Sequence, residues 1–251
     1  MRGQTPQFDY AAPPVADAAL GVFETMLVRD GRVACLERHL ERLTASVRAL
    51  YRAELAPSLG AQVAGAAAGQ ALARLRIEVV PRPDEPPAVG LDLSALADAG
   101  VGCAEEATLV TVAVAGGNGA HKLIDRSWLR QVEARVPAGV RALLVSRSGA
   151  LLETTRANLL LLRDGALATP PLDGSILPGV VRGAVLAHAE RLGIGAREVP
   201  LTVERLHDAD MVLLSGSLAL LERANVRRGR RRSAEVAARL SEALAADTVS
   251  P

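Results

Sequence analysis

The stretch Ile176-Leu177-Pro178-Gly179-Val180-Val181-Arg182 places a Pro-Gly turn directly before an apolar segment with helical character. Glycine at such a turn lets the backbone come close to a ligand. The first amides of a helix have no partner inside the helix, and they readily bind an anion. The stretch therefore predicts a turn and helix start that form an anion site.

Lys122 is the only lysine in the chain, although lysine and arginine together number 29. Arginine replaces lysine wherever a positive charge is sufficient, but it cannot form a Schiff base, because a guanidinium stays protonated. Lys122 is therefore a candidate catalytic amine. The alternative is a solvated surface lysine that escaped the compositional bias, and its neighbours have to decide between the two.

The composition limits the classes of protein to consider. The chain has 251 residues, a net charge of +1 and a hydrophobic fraction of 49%, which allow one large domain or two small ones. This charge does not indicate a nucleic-acid or membrane partner. Two cysteines and four scattered histidines are too few for a disulfide framework or a metal cluster, so we expect no metal. The chain shows neither a signal peptide nor a membrane span, and we expect a cytoplasmic protein.

Hydrophobic periodicity predicts an α+β fold. The predicted strands are Val22–Val28, Leu75–Val80, Thr108–Ala115, Arg141–Ser146, Leu159–Leu162 and Met211–Leu214. The predicted helices are Leu36–Tyr51, Ala61–Arg74, Lys122–Val136, Gly179–Leu192 and Ala234–Ala246. The segment Pro83–Gly102, rich in Pro, Gly and Asp, predicts one short strand at most.

A glycine-rich break at Gly116-Gly117-Asn118-Gly119 divides the chain into two parts. We expect a small N-terminal α/β domain at residues 1–115, a link at 116–120 and a larger, sheet-rich domain at 121–251.

Three further features accompany Lys122 and the anion site. Glu153 enters a strand, Ser215-Gly216-Ser217 follows a strand, and Arg42 lies on the first predicted helix. A Schiff-base lysine, an acidic residue and a phosphate cradle are what pyridoxal phosphate requires from a protein.

In this order, the motifs resemble those of fold-type IV pyridoxal-phosphate enzymes, the class of branched-chain aminotransferase, D-amino acid aminotransferase and 4-amino-4-deoxychorismate lyase. The matching stretches run from about Gly21 to Leu220 and include the opening strand Gly21-Val22-Phe23-Glu24-Thr25 and the helix motif His39-Leu40-Glu41-Arg42-Leu43. The resemblance implies a homodimer with the cofactor between a small and a large domain.

The resemblance also implies a role for each matching residue. Lys122 matches the Schiff-base lysine, and Glu153 with Asn158 matches the Glu-x-x-x-x-Asn segment whose Glu meets the pyridine nitrogen. The remaining matches bind the cofactor phosphate: Arg42, Gly179 with the amides of Val180 and Val181, and Ser217.

The residues after the lysine favour one member of the class. Lys122-Leu123-Ile124-Asp125-Arg126 resembles the Lys-x-x-Asn-Arg of aminodeoxychorismate lyases, with Asp for Asn. Branched-chain aminotransferases have Tyr five residues after the lysine, where this chain has Ser127. The resemblance thus implies a lyase of folate precursor synthesis that forms p-aminobenzoate and pyruvate. The alternatives are an aminotransferase of the D-amino acid or branched-chain type and, from a different class, a non-catalytic binding protein.

The sequence does not determine which residues bind the substrate. Asp125 and Arg126 are candidates for binding a substrate carboxylate, or they form an ion pair at a helix start, and His121 is a pocket residue or a structural one. The chain departs from the class at Pro81-Arg82-Pro83 and at Glu222-Arg223-Ala224, near the expected pocket. The basic run Arg227–Arg232 predicts a solvated turn, so we expect a small amino substrate as partner and no nucleic acid.

Overall fold

The computed structural model describes residues 8–9, 16–97, 106–224 and 231–247, except for the side chains of residues 8, 9, 231 and 232. The described part is an α+β fold built on two sheets, as the sequence predicts. The first sheet has four strands in the order β3-β2-β4-β5, and the second has ten strands.

The strands are β1 (Phe8–Asp9), β2 (Val22–Arg29), β3 (Arg32–Val33), β4 (Leu72–Arg82), β5 (Glu85–Ala95), β6 (Thr108–Val114), β7 (Val140–Ser146), β8 (Ala150–Thr154), β9 (Asn158–Arg163), β10 (Ala166–Thr169), β11 (Ala196–Glu198), β12 (Leu201–Thr202), β13 (Met211–Gly216) and β14 (Leu220–Ala224). The helices are α1 (Leu36–Tyr51), α2 (Leu59–Ala67), α3 (Ser127–Ala134), α4 (Val180–Arg191), α5 (Val203–Asp208) and α6 (Arg231–Asp247).

The four-stranded sheet is antiparallel, and its central strand β4 has two different faces. Residues on one face of β4, among them Leu75 and Ile77, are fully buried against α1 and α2. Arg74 and Arg76 alternate with them and therefore lie on the opposite face. The strand thus contributes a hydrophobic core on one side and two guanidinium groups on the other.

The ten-stranded sheet brings three polar residues into one row. Glu153 at the end of β8 pairs with Asn158 at the start of β9, and Asn158 pairs with Ser215 on β13. Residues that pair directly across neighbouring strands lie on the same face of a sheet. The spacing of five residues between Glu153 and Asn158 is therefore that of two opposed positions in a hairpin.

Helix α4 is held against this sheet by an apolar core. Val181 and Val185 pack with Leu160 of β9 and Leu213 of β13, and α6 covers the same helix through residues such as Leu240. Because α4 is buried on the sheet, its first turn has a fixed position at the row formed by Glu153, Asn158 and Ser215.

Two predicted helices were wrong in extent. Lys122 does not open a helix: its segment is extended, Leu123 forms a bridge with Val22, and α3 begins only at Ser127. The reason is that pairing with the edge of β2 satisfies the backbone of this segment. The predicted helix Ala61–Arg74 ends at Ala67, because Gly69 turns the chain with a φ of +77° and the following residues join β4.

The segment Pro83–Gly102, for which one short strand at most was expected, contains the eleven-residue strand β5. It pairs with β4 from Glu85 to Ala95. In the described part of the chain β5 is an edge strand, and its adjacent prolines Pro86 and Pro87 lie where its pairing with β4 is irregular. Such a position tolerates both prolines, because one of the two missing amides would face outward and the other falls where the pairing is interrupted. Tertiary pairing here overrides an unfavourable composition.

The domain boundary at residue 115 stays a prediction. Strand β6, which falls in the predicted N-terminal part, pairs along its whole length with β7 and belongs to the larger sheet. No helix of the described residues is both long enough and apolar enough to cross a membrane. Residues 227–230 of the basic run, like Cys103, lie outside the described residues.

The small sheet provides a matched test of its core. Leu75 on β4 and Leu93 on β5 pair directly and lie on the same face, but Leu75 is fully buried and Leu93 is 36% exposed. We expect Leu75→Ala to lower the free energy of unfolding by about 2–5 kcal/mol, because it leaves a cavity. Leu93→Ala should cost less than about 1 kcal/mol. Equal losses in denaturant titrations of both variants would contradict this packing.

Candidate active site

A cavity of about 420 Å³ lies between the two sheets. Phe23 and Thr25 of β2 and Arg74 and Arg76 of β4 line it on the side of the small sheet. The other walls are formed by the Lys122 segment, the start of β9, the end of β13 and the first turn of α4. A cavity of this size accommodates a cofactor or small substrate.

Lys122 lines the cavity, and its backbone is anchored to β2. Its carbonyl oxygen accepts a 2.9 Å hydrogen bond from the Phe23 amide, and its Nζ lies 5.0 Å from the centre of the Phe23 ring. Burial, and then the positive charge of Arg42, lower the pKa of Lys122 to about 7. The side chain is therefore a neutral amine in a large fraction of molecules near pH 7, as a nucleophile or base must be.

Glu153 and Asn158 form a hydrogen-bonded pair against the cavity wall. Asn158 Nδ2 donates to Glu153 Oε2 over 2.8 Å and to the Leu177 carbonyl over 2.9 Å, and the Leu177 amide donates to Glu153 Oε1 over 2.9 Å. Burial raises the pKa of Glu153 to about 7, although the hydrogen bond from Leu177 opposes this shift. Asn158 and Leu177 line the cavity, whereas Glu153 does not line it and lies in hydrogen-bond contact with both.

Gly179 has no room for a side chain. A Cβ at this position would overlap Oδ1 of Asn158, so only glycine allows the chain to pass. Gly179, Val180 and Val181 all line the cavity at the first turn of α4. The sequence prediction of an anion site at this helix start therefore coincides with a surface of the cavity.

Arg42 reaches this same turn from α1. Its Nη1 donates to the Pro178 carbonyl over 3.0 Å, while Nε and Nη2 each donate to the Glu24 carboxylate over 2.7 Å. His39 Nδ1 lies 2.7 Å from Glu24 Oε2. Although burial alone raises the pKa of Glu24, its hydrogen bonds with His39 and Arg42 lower it to about 2. Glu24 is therefore a carboxylate that fixes Arg42 at the cavity.

The sequence analysis did not single out Glu24 as a site residue. The signal was present, because Glu24 is the one charged residue in the strand Val22–Val28, and it occupies the face that packs on the helices. A charge at a core position requires a partner.

The end of β13 and the loop that follows it add hydroxyl groups to the cavity wall. Ser217 lines the cavity, as does Ser215, which pairs in register with Asn158. Ser215 Oγ is buried and has no hydrogen-bond partner in the described part of the chain. A buried hydroxyl without a partner costs free energy unless a bound group supplies one.

The three substrate candidates have different surroundings. Arg126 lines the cavity beside Phe23 and donates to the Thr155 carbonyl. His121 and Asp125 do not line it: His121 Nδ1 lies 3.1 Å from Ser46 Oγ on α1, and Asp125 accepts the amides of Asp17 and Ser127 over 3.0 Å. The alternative interpretation, an ion pair between Asp125 and Arg126, is not formed either, because the Asp125 carboxylate accepts backbone amides at the turn before α3.

The arrangement fits pyridoxal phosphate. The glycine cradle at Gly179, the amides of α4 and the fixed Arg42 suit a phosphate group. The unpartnered Ser215 hydroxyl leaves a donor at the same end of the cavity. Lys122 supplies a buried amine, and Glu153 a buried carboxyl group.

A family model for amino-transferase class IV matches residues 21–224. The chain belongs to the class IV aminotransferase family. The predictions of a fold-type IV architecture, of an enzyme and of pyridoxal phosphate as its cofactor are confirmed by this match. The roles of the individual site residues stay predictions.

Two family members show the range of activities. The bifunctional aminodeoxychorismate lyase / D-amino acid transaminase of Mycobacterium tuberculosis is 30% identical over 248 residues, which cover 84% of this chain and 83% of that protein. The branched-chain-amino-acid aminotransferase of Escherichia coli K12 is 38% identical over 112 residues. This match covers 45% of the chain and 35% of the relative, so the chain spans about a third of the branched-chain enzymes it matches.

Solved structures share the fold. A hypothetical aminotransferase from Mycobacterium tuberculosis, in its PLP-bound form, has a TM-score of 0.78 and 25% identity, and the match covers 96% of this chain and 94% of that one. The branched-chain aminotransferase of Escherichia coli has a TM-score of 0.72 at 22% identity, with 92% and 88% covered.

The single lysine allows a direct test of its ionisation. We expect an amine-selective acylating reagent to label Lys122 of the cofactor-free protein at a rate that rises with pH with a midpoint at about 7 and levels off above about pH 8, because only the neutral amine reacts. Peptide mass spectrometry separates this label from that on the α-amino group, and Lys122→Arg is the control. A rate that keeps rising to pH 10 would show that the lysine has an ordinary pKa.

Two glycines of the α4 segment test the phosphate cradle. We expect Gly179→Ala to lower the affinity for pyridoxal phosphate at least about tenfold, because its Cβ displaces the Asn158 side chain. In Gly183→Ala the nearest heavy atom to the new Cβ is 3.5 Å away, so this variant is the matched control and should bind normally. Fluorescence titration with the cofactor measures both, and normal binding by the Gly179 variant would rule out the cradle.

Proposed function

We propose that this chain is a pyridoxal-phosphate-dependent 4-amino-4-deoxychorismate lyase, which forms p-aminobenzoate and pyruvate. The observation that carries the proposal is the position of Arg126. This arginine ends the segment Lys122–Arg126 that resembles the lyases, and its guanidinium lines the same cavity as the buried amine. The bifunctional lyase and transaminase of Mycobacterium tuberculosis, matched over most of both chains, supports it.

Five residues would hold the cofactor phosphate: Arg42, Gly179, Val180, Val181 and Ser217. Pyridoxal phosphate, when bound, supplies an aldehyde that takes up an amine and a ring that withdraws electrons from the neighbouring carbon. Glu153, as a carboxylate, would hold a proton on the ring nitrogen. Its hydrogen bonds with Asn158 and Leu177 fix its orientation for this contact.

Lys122 has two tasks in this proposal. Lys122 would hold the cofactor aldehyde in the resting protein, and its amine would be free once a substrate amine took its place. The freed Lys122 amine, whose pKa is lowered to about 7, accepts the proton from the carbon that bears the substrate nitrogen. Burial favours the neutral form of this amine, and Arg126 is placed to bind a substrate carboxylate beside it. The bond between the substrate ring and the enolpyruvyl oxygen would then break, the released enolate would take up a proton and become pyruvate, and the substrate ring would become aromatic.

A D-amino acid transaminase is the second candidate. The same relative carries both activities in its name, and both reactions share the proton removal by the lysine. Branched-chain amino acids suit the cavity less well, because the small-sheet wall carries Arg74 and Arg76 rather than an apolar surface. The homodimer, the cytoplasmic location and the role in folate precursor synthesis stay predictions.

The test is a coupled assay with the cofactor-loaded protein and aminodeoxychorismate made in situ from chorismate. We expect p-aminobenzoate, followed by its fluorescence, and a decrease of about 10²- to 10⁴-fold or more in Lys122→Arg, which keeps a long basic side chain but loses the nucleophilic amine. Arg130→Lys, the reverse exchange at an exposed position of α3, is the control and should retain full activity.

Two outcomes would overturn the proposal. Equal p-aminobenzoate formation by Lys122→Arg and the unaltered protein would reject the catalytic lysine. No p-aminobenzoate, from protein that keeps the yellow colour of the bound cofactor, would reject the lyase. Turnover of D-amino acids with an oxo-acid acceptor would then identify the transaminase.

A further inference from the structure

The arginines of the cavity wall differ in whether the protein neutralises them. Arg141 donates to Glu222 over 2.7 Å, and this carboxylate is nearly buried. Arg156 makes two hydrogen bonds, of 2.8 and 3.0 Å, with Glu133. These guanidinium groups have carboxylate partners of their own. The Arg141–Glu222 pair also accounts for Glu222 in the departure at Glu222-Arg223-Ala224.

Arg74 is different because its ion pair with Asp92 is weak. Its Nη2 donates to Asp92 over 3.1 Å, and the Asp92 side chain is 63% exposed. An ion pair with such an exposed partner contributes little. Arg74 Nε is buried and has no hydrogen-bond partner within the described ranges. A buried donor without a partner is costly, and an acceptor from a bound molecule would remove this cost.

The strand register places Arg74 away from the reacting amine. The Lys122 carbonyl accepts a hydrogen bond from the Phe23 amide of β2, whereas Arg74 pairs with Leu27 at the other end of β2. Arg76, two residues along β4, stacks on the Phe23 ring at 3.8 Å. Alternate residues of a strand are about 7 Å apart on one face, so Arg74 lies one such step farther along the cavity wall.

We propose that Arg74 binds a second carboxylate of the substrate, remote from the reacting amino group, so that the cavity selects dicarboxylic amino substrates over monocarboxylic ones. Arg126 lies beside Phe23 and donates to the neutral carbonyl of Thr155. Its guanidinium group is therefore available to bind the substrate carboxylate that lies near the reacting amine. The inference rests on the proposed function only in that it takes this cavity as the substrate site, and it applies to a lyase and to a transaminase alike.

Two acids of equal length, glutarate and pentanoate, provide the test. Both are titrated into the cofactor-loaded protein by calorimetry. We expect glutarate to bind at least about tenfold more tightly than pentanoate. Arg74→Gln should lower the glutarate affinity about tenfold, which corresponds to about 1.4 kcal/mol, and leave pentanoate unchanged. Arg74→Lys, which keeps the charge but not the planar fork, should recover part of the loss.

Arg82→Gln is the matched control. Arg82 lies on the same strand and pairs with Glu85 of β5, as Arg74 pairs with Asp92, but it does not line the cavity. We expect this variant to bind both acids normally. In turnover, Arg74→Gln should raise KM for a dicarboxylic substrate and change kcat little, because Arg74 contacts no reacting atom.

The proposal is overturned if Arg74→Gln leaves the glutarate affinity unchanged, or if it weakens glutarate and pentanoate equally. These results are distinct from failure of the proposed function. If no p-aminobenzoate forms but glutarate binding still depends on Arg74, the lyase is rejected and the substrate class stands. If p-aminobenzoate forms and the KM for aminodeoxychorismate is unchanged in Arg74→Gln, the proposed lyase activity is kept and the role of Arg74 is rejected.

Discussion

The side-chain amide of Asn158 joins the large sheet to the turn before α4. It donates to the Leu177 carbonyl and to Glu153, and Glu153 in turn accepts the Leu177 amide. Both backbone polar groups of Leu177 are thus bound by two side chains that oppose each other in a hairpin. Hydrogen bonds to a charged group contribute about 1.5–3 kcal/mol each, and a buried carboxylate without them is costly. The position of the α4 first turn, and with it the predicted phosphate site, depends on this network.

A second network connects the small sheet to the same turn. Glu24 places a carboxylate in the core between β2 and α1, where Arg42 compensates its charge and His39 is hydrogen-bonded to it. Arg42 is then directed to the Pro178 carbonyl, so a buried acid in one sheet determines where a guanidinium lies at the edge of the other. The same positive charge contributes to the low pKa of Lys122. The position of the arginine and the ionisation of the lysine are therefore linked through one side chain.

The cavity divides into two electrostatic regions. At the α4 end, Arg42, Glu153 and Asn158 are fixed by hydrogen bonds within the protein, which suits a cofactor bound in one orientation. On the β4 wall, Arg74 and Arg76 have exposed acidic partners, Asp92 and Glu78. Cations with weak partners remain available to a charged substrate, since little is lost when the substrate carboxylate replaces an exposed side chain. The first region contains the residues that resemble the family's motifs, and the second contains residues outside those motifs.

The sequence by itself predicted the cofactor and the lysine that would bind it. A single lysine and a Pro-Gly turn before an apolar helix are local patterns, and together with the resemblance carried by motifs such as the Glu153–Asn158 segment they predicted the cofactor class. Hydrophobic periodicity predicted six strands in their correct places. The tertiary structure decided what depends on partners distant in the chain. Pairing with β2 keeps the Lys122 segment extended, and pairing with β4 makes a strand of a segment rich in proline. The wall that carries Arg74 likewise follows from strand register, and the partner of Arg42 follows from the packing of α1 on β2. Periodicity in one segment reports which face is buried, but not which residue of another strand or helix it meets.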